Sequence, residues 1–230
     1  MNICIFGGNS PVGRFGRDFT DRVRKDGHSV YVISHNVAEV YPMPSGLVAT
    51  ELVPYDKNHV FTDFYYTTSV INAFNKVTAD VDNLDLILYN SNSGSYPGDV
   101  NDFHVDSVFR EKSWYDTIRT HAVIPHGVAL SALKKMSAGS KFVFMTSNLS
   151  YHADRDFCTE EAGYAGGKAA QNQLMLALAN HNKQGVIFTA ISPYFRYHEI
   201  EKYTKVFENV YNHILNLSEK DNGKIKEIFN

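Results

Sequence analysis

A chain of 230 residues, 43% hydrophobic and 20% charged, has ordinary globular composition and is long enough for one substantial α/β core. Its formal net charge of -3 gives no basic footprint for nucleic acid, and no apolar stretch approaches the ~20 residues that span a bilayer. Two cysteines, Cys4 in an apolar run and Cys158 in a polar one, argue against a disulfide framework and a four-ligand zinc site and fit a reducing cytoplasm.

The chain opens on MNICIFGG, which lacks the basic and apolar regions of a secretion signal. Within it, Asn2–Phe6 is continuously apolar, as expected of a strand covered on both faces. A helix is predicted over Val12–Asp26, from Val12, Phe15, Phe19 and Val23 at helical spacing, with Gly27 as its cap. Its basic residues, Arg14, Arg17, Arg22, Arg24 and Lys25, read as a solvated face. Strands are predicted at Ser29–Ile33, Ala49–Val53 and Leu84–Tyr89, with a helix over Phe61–Thr78 before the last. A long helix follows over Trp114–Met136, then a strand over Lys141–Met145 and a helix over Ala165–His181, rich in Ala, Leu and Gln. A strand at Val186–Ile191, a helix over Tyr203–Leu217 and a closing strand within Asn222–Phe229 complete the series. Strand and helix alternate almost throughout. That order predicts a single domain over residues 1–230, a three-layer, doubly wound Rossmann fold with a mostly parallel sheet of about seven strands. Such folds bind ligands beyond the carboxyl ends of the strands, near the topological switch point.

Three local patterns fall where that geometry wants chemistry. The first strand runs into Gly7-Gly8-Asn9-Ser10-Pro11-Val12-Gly13-Arg14, a turn whose glycines let backbone approach a phosphate at a helix N-terminus. Gly7 and Gly13 have the outer spacing of a dinucleotide loop, while Ser10 or Pro11 stands where its middle glycine belongs. The second strand leads into Ser34-His35-Asn36 with no acid to take the adenosine ribose, so Arg14 and His35 incline the choice to NADP, with NAD left open. Further on, Tyr164-Ala165-Gly166-Gly167-Lys168 sets a phenol and an ammonium four residues apart, on one face of a helix. A nearby cation lowers a phenol's pKa and so fits it for proton transfer. The strand before that helix ends in Thr146-Ser147, where a serine hydroxyl can hold a substrate oxygen.

In this order the motifs resemble those of the short-chain dehydrogenase/reductase family, over nearly the whole chain. Gly7 to Gly13 looks like the family's cofactor loop, Tyr55-Asp56 like its adenine-contacting aspartate, and Asn90-Ser91-Asn92 like its Asn-Asn-Ala-Gly motif. Thr146-Ser147 resembles the strand end carrying the catalytic serine, Tyr164 and Lys168 match the central pair, and Ile191-Ser192-Pro193 is similar to the segment at the nicotinamide end. The resemblance implies an NAD(P)-dependent oxidoreductase acting on a small carbonyl or alcohol. Its catalytic set is Ser147, Tyr164 and Lys168, with cofactor contacts from Gly7, Asn9, Ser10, Val12, Gly13, Arg14, His35, Asp56, Asn90, Ser91, Tyr164, Lys168 and Pro193. It also implies a homodimer or homotetramer built through the helices Trp114–Met136 and Ala165–His181.

The departures are specific. His121 aligns with the family's helix asparagine, which supports a proton-relay water, and is either a relay or a packed residue. The segment from Ser147 to Tyr164 is long, which makes Ser150 a second candidate serine, and little chain after Pro193 is left for a lid. Tyr96, His152, Tyr194, Phe195 and Arg196 lie on loops near the expected site, and the ten histidines show no metal-ligand spacing. A nucleotide-binding sensor with reduced catalysis on the same fold is the alternative.

Overall fold

The computed structural model describes residues 1–8, 14–35, 41–43, 46–48, 54–91, 114–151, 162–194 and 199–229. Its centre is a seven-stranded sheet in the order β5-β2-β1-β6-β7-β8-β9, parallel throughout. The strands are β1 (Asn2–Phe6), β2 (Ser29–His35), β5 (His59–Thr62), β6 (Leu86–Tyr89), β7 (Lys141–Met145), β8 (Ile187–Pro193) and β9 (Ile225–Ile228). A separate antiparallel pair, β3 (Tyr41–Met43) and β4 (Gly46–Val48), was not foreseen from the sequence.

The order doubles back at β1 and β6, which places the switch point between the ends of these two strands. Along β1, Ile3 and Ile5 face one side of the sheet and Cys4 and Phe6 the other, because side chains alternate along a strand. That is why the run is apolar without a break. The first side is covered by α1 (Arg14–Lys25) and α5 (Ile200–Leu215), through Phe15, Phe19, Val206 and Val210. The second is covered by α2 (Thr67–Val77), α3 (Ile124–Ala132) and α4 (Ala162–His181), through Phe74, Val128 and Met175. Among the described residues no helix is long and apolar enough to cross a membrane.

Two expectations need correcting. The helix anticipated from Phe61 begins only at Thr67, because His59–Thr62 is the sheet's edge strand, paired in register with Val32–His35. The run Ala49–Val53, expected to hold that place, lies outside the described residues. The basic face of α1 is not simply solvated. Arg14 and Arg22 lie over the rings of Tyr203 and Tyr211 at 4.7 and 4.8 Å, and their guanidinium groups meet Asp18, Asp26 and Glu208. The arginines at i and i+8 thus form one side of the α1–α5 seam.

Candidate active site

The carboxyl end of β1 carries Gly7 at φ +75, a backbone region that glycine adopts without strain. Its N–H donates to the Ile33 carbonyl at 2.8 Å, and its carbonyl accepts from Asn90 Nδ2 at 3.2 Å. A Cβ on Gly7 would sit 3.0 Å from the Ser91 backbone, so the turn fits its neighbours only as glycine. One turn into α1, a Cβ on Gly16 would lie 2.2 Å from the Gly7 carbonyl oxygen. The close approach of helix and loop therefore rests on Gly16, which the sequence reading missed. Its signal is a glycine on the buried face beside Phe15, where helix propensity disfavours it. Asn9, Ser10, Val12 and Gly13 lie outside the described residues.

At the adjoining end of β2, the His35 ring is 5.7 Å from Phe64 and 5.5 Å from Tyr65. The acid nearest in sequence to this end of β5 is Asp63, whose carboxylate accepts the Tyr65 N–H at 2.7 Å. Asp56 does not occupy that place. It precedes β5, at the edge where the strands begin, and its carboxylate is paired with Arg24 at 2.9 Å. The misplacement follows from setting the third strand ten residues early. Arg14 is also turned away: Asp18 takes its Nε at 2.9 Å and Tyr203 takes its face, so its charge serves the seam with α5.

The Tyr–Lys face of α4 meets the end of β7. Lys168 is buried, and its Nζ donates to the Met145 carbonyl at 2.6 Å and to Gln171 Oε1 at 3.3 Å. Burial pulls its ammonium down to about 7. The same Nζ lies 5.7 Å from the centre of the Tyr164 ring. The His121 ring stands edge-on to Tyr164 at 5.6 Å. His121 is fully buried and held well below its ordinary pKa, first by that burial and then by the charge of Lys168, so it is neutral near pH 7.

Two sequence features put His121 there. A Cβ on Gly166 would meet Trp114 at 2.7 Å, and one on Gly167 would meet Thr117 at 2.4 Å and His121 Nδ1 at 2.8 Å. Two glycines inside a helix each cost ~1 kcal/mol of propensity, and here they permit the close approach of the neighbouring helical run. That run widens into a π turn over Arg119–Val123, in which the Ile124 N–H bonds the Arg119 carbonyl. The next donor in that register would be Pro125, which has no N–H. The Thr120 carbonyl is instead taken by the buried Tyr89 hydroxyl at 2.7 Å. The α-register donor to the His121 carbonyl is also Pro125, so the α pattern cannot continue through this turn.

Ser147 follows β7 and caps a short 3₁₀ turn, Asn148–Ser150, accepting the Leu149 N–H at 3.3 Å. Ser150 is bound on both sides. Its hydroxyl donates to the Ser147 carbonyl at 2.6 Å and accepts from Asn172 Nδ2 at 2.8 Å. Pro193 ends β8 at the same edge of the sheet, and the following Tyr194 ring lies 6.1 Å from Phe229. Tyr96, His152, Phe195 and Arg196 lie outside the described residues.

Gly7, His35, Asn90, Ser147 and Pro193 thus share the carboxyl edge of the sheet, with Tyr164, Lys168 and His121 packed behind the end of β7. No protein-family model and no curated protein matches the chain. Solved structures do. A short-chain dehydrogenase/reductase from Serratia marcescens BCRC 10948 matches with a TM-score of 0.69 at 15% identity, over 99% of this chain and 94% of that one. The chain has the short-chain dehydrogenase/reductase fold. An oxidoreductase of that family from Brucella ovis, with a partially ordered NAD, superposes with a TM-score of 0.70 at 18% identity, over 99% and 98% of the two chains. BdcA in complex with NADPH gives 0.68 at 15% identity, over 99% and 92%.

Proposed function

We propose that the protein is an NAD(P)-dependent oxidoreductase that interconverts a carbonyl compound and its alcohol. The observation that carries this reading is the grouping of Tyr164, buried Lys168 and neutral His121 behind the end of β7. The residues present fit a dinucleotide. Gly7 leaves the β1–β6 crevice free of a side chain, and Asn90 pins the loop from the far side of the switch point.

Gly7, Asn9, Ser10, Val12 and Gly13 would hold the pyrophosphate, His35 and Asp63 the adenosine end, and Asn90, Ser91 and Pro193 the nicotinamide end. Asp63 replaces Asp56 in this assignment. With Arg14 engaged elsewhere, His35 is the residue left to favour NADP over NAD. When bound, a reduced nicotinamide supplies a hydride to the carbonyl carbon, and the protein's own residues manage the proton. Ser147, whose hydroxyl makes only long bonds, 3.5 Å to Asn148 Oδ1 and 3.3 Å from the Leu149 N–H, orients the substrate oxygen rather than Ser150, which is held at 2.6 and 2.8 Å. The Tyr164 hydroxyl gives its proton to that oxygen in reduction and takes it back in oxidation. Lys168, when protonated, stabilises the phenolate left behind and holds the ribose. His121, neutral and edge-on to Tyr164, completes the route by which the phenol regains its proton. The chain would act as a homodimer or homotetramer in the cytoplasm.

One observation favours the catalytically reduced sensor. Two of the lysine's three N–H bonds are spent on Met145 and Gln171. A single set of measurements separates the two. Titration of the purified protein with NADPH and with NADH should give micromolar binding of at least one. Tyr164→Phe should keep that binding and lose ~10²–10⁴-fold of turnover on a 1,2-diketone probe such as 2,3-butanedione. Binding without turnover in the wild type establishes the sensor, and no binding of either nucleotide sinks both.

A further inference from the structure

We infer that two adjacent buried amides on α4, Gln171 and Asn172, are positioning residues, one setting Lys168 and the other setting the turn that carries Ser147. The inference rests on the Tyr–Lys–Ser reading above and deepens it.

The two side chains are 0% and 4% exposed. A helix that packs on a sheet fills such positions with apolar residues, and burying an amide with half its hydrogen bonds unmade costs ~1–3 kcal/mol. Each amide here is half used. Gln171 Oε1 accepts from Lys168 Nζ at 3.3 Å, while Gln171 Nε2 is buried with no partner among the described residues. Asn172 Nδ2 donates to Ser150 Oγ at 2.8 Å, while Asn172 Oδ1 is buried with no partner among them. Neither residue is therefore explained as a contribution to stability.

Their used halves explain them. Lys168 Nζ has three N–H bonds to place. The Met145 carbonyl takes one and Gln171 Oε1 another, which fixes the ammonium 5.7 Å from the centre of the Tyr164 ring and leaves the third for the cofactor ribose. On the other side the chain of contacts runs Asn172 Nδ2 to Ser150 Oγ at 2.8 Å, then Ser150 Oγ to the Ser147 carbonyl at 2.6 Å. Ser150 can donate forward because Asn172 donates to it. The second candidate serine thus becomes the strut of the first. Being neighbours on one helix, Gln171 and Asn172 reference Lys168 and Ser147 to the same backbone, so the distance between ammonium and hydroxyl is set once.

The titratable groups facing Lys168 among the described residues are Tyr164 on its own helix and His121 from the π turn. The Gln171 oxygen favours the charged lysine, so its removal moves the lysine pKa down. In the unliganded protein, the ¹³Cε shift of Lys168, assigned with Lys168→Met, should titrate at least ~0.5 pH unit lower in Gln171→Met than in wild type. Gln171→Glu should move it up, which keeps the test alive if the first variant fails to fold. The alkaline limb of kcat for 2,3-butanedione reduction by the NADPH-loaded protein should move with it. The melting temperature of Gln171→Met should hold or rise, which a merely structural glutamine would not allow. For the second arm, Asn172→Leu and Ser150→Ala should each lower kcat with little change in KM. As links in series, the double variant should lose no more than the worse single one.

A Lys168 titration that superimposes on wild type in both Gln171 variants overturns the lysine arm. Additive losses in the double variant overturn the serine arm. The unliganded titration needs no cofactor and so separates the two levels. A shifted Lys168 with no nicotinamide binding sinks the proposed function alone, whereas an unshifted Lys168 in a protein that Tyr164→Phe inactivates sinks this inference alone.

Discussion

Gly16 shows how much can depend on one missing side chain. A methyl group there would sit 2.2 Å from the Gly7 carbonyl oxygen and 2.6 Å from Asn90 Nδ2, the two atoms that join the loop to the switch point. Backbone cannot yield as a flexible side chain can, so α1 must move. Gly16→Ala should lower the urea unfolding free energy by ~1–3 kcal/mol and weaken NADPH binding at least tenfold, read by nucleotide fluorescence. A variant that binds as wild type does would show that the loop tolerates a shifted helix. The sequence displayed part of this site and hid part. Tyr164 and Lys168 were legible because a helix brings residues four apart onto one face, and Ser147 because a strand end followed by a long helix has few places to point. Gln171 and Asn172 were not legible. In a list they are ordinary helix residues, and only packing against β7 and the Asn148–Ser150 turn shows them buried and half bonded.

Among the elements, β5 is the instructive one. It is four residues long, with His59 and Thr62 at its ends, so it lacks the continuous apolar run that betrayed β1, β6, β7 and β8. Composition favoured Ala49–Val53, and that choice carried Asp56 to the wrong edge of the sheet. The strand is held by hydrogen bonding that composition does not reveal. His59 Nδ1 accepts the Tyr55 N–H at 3.0 Å, which leaves Nε2 to donate to Ser34 Oγ at 2.9 Å across to β2. The Nδ1 bond needs the neutral ring, since a protonated ring has no acceptor there, and burial first, then Arg24, lowers its pKa to about 4 from 6.5. An unfolded chain binds this proton at a pH where the folded one does not. Stability from His59 is therefore complete above pH 6.5 and is lost as pH falls towards about 4, by up to about 3 kcal/mol. His121, also buried neutral, acts in the same direction. Urea unfolding at pH 7 and pH 4.5 should show the loss, and His59→Gln should flatten it. An equal acid loss in that variant would assign it to other groups.

The proposed assembly rests on what the helices leave uncovered. Tyr115, Val123 and Leu130 are 62%, 50% and 51% exposed, and they recur at about two-turn spacing along the helical run that ends in α3. A solvated helix places charge at such positions. A row of this kind is self-complementary across a two-fold axis near its middle residue, where Val123 faces itself and Tyr115 faces Leu130 of an antiparallel copy. The row also adjoins the candidate site. Trp114, next to Tyr115, covers Gly163 and Gly166 on the segment that carries Tyr164, and the π turn that holds His121 lies between Tyr115 and Val123. Pairing would brace the helical run against which Tyr164 packs, through His121. Light scattering on a sizing column should give two or four times the 25.9 kDa of one chain. Leu130→Glu should reduce it to one, because it buries an unpaired charge against an apolar row in a dry interface. The monomer should keep its fold, by circular dichroism, and lose turnover more than nucleotide binding, since Gly7 and Asn90 lie on the sheet and Tyr164 packs on the helical run that lost its brace. A wild-type mass of one chain would assign the exposed row to some other partner. A monomeric Leu130→Glu with full turnover would show that α4 holds Tyr164 unaided.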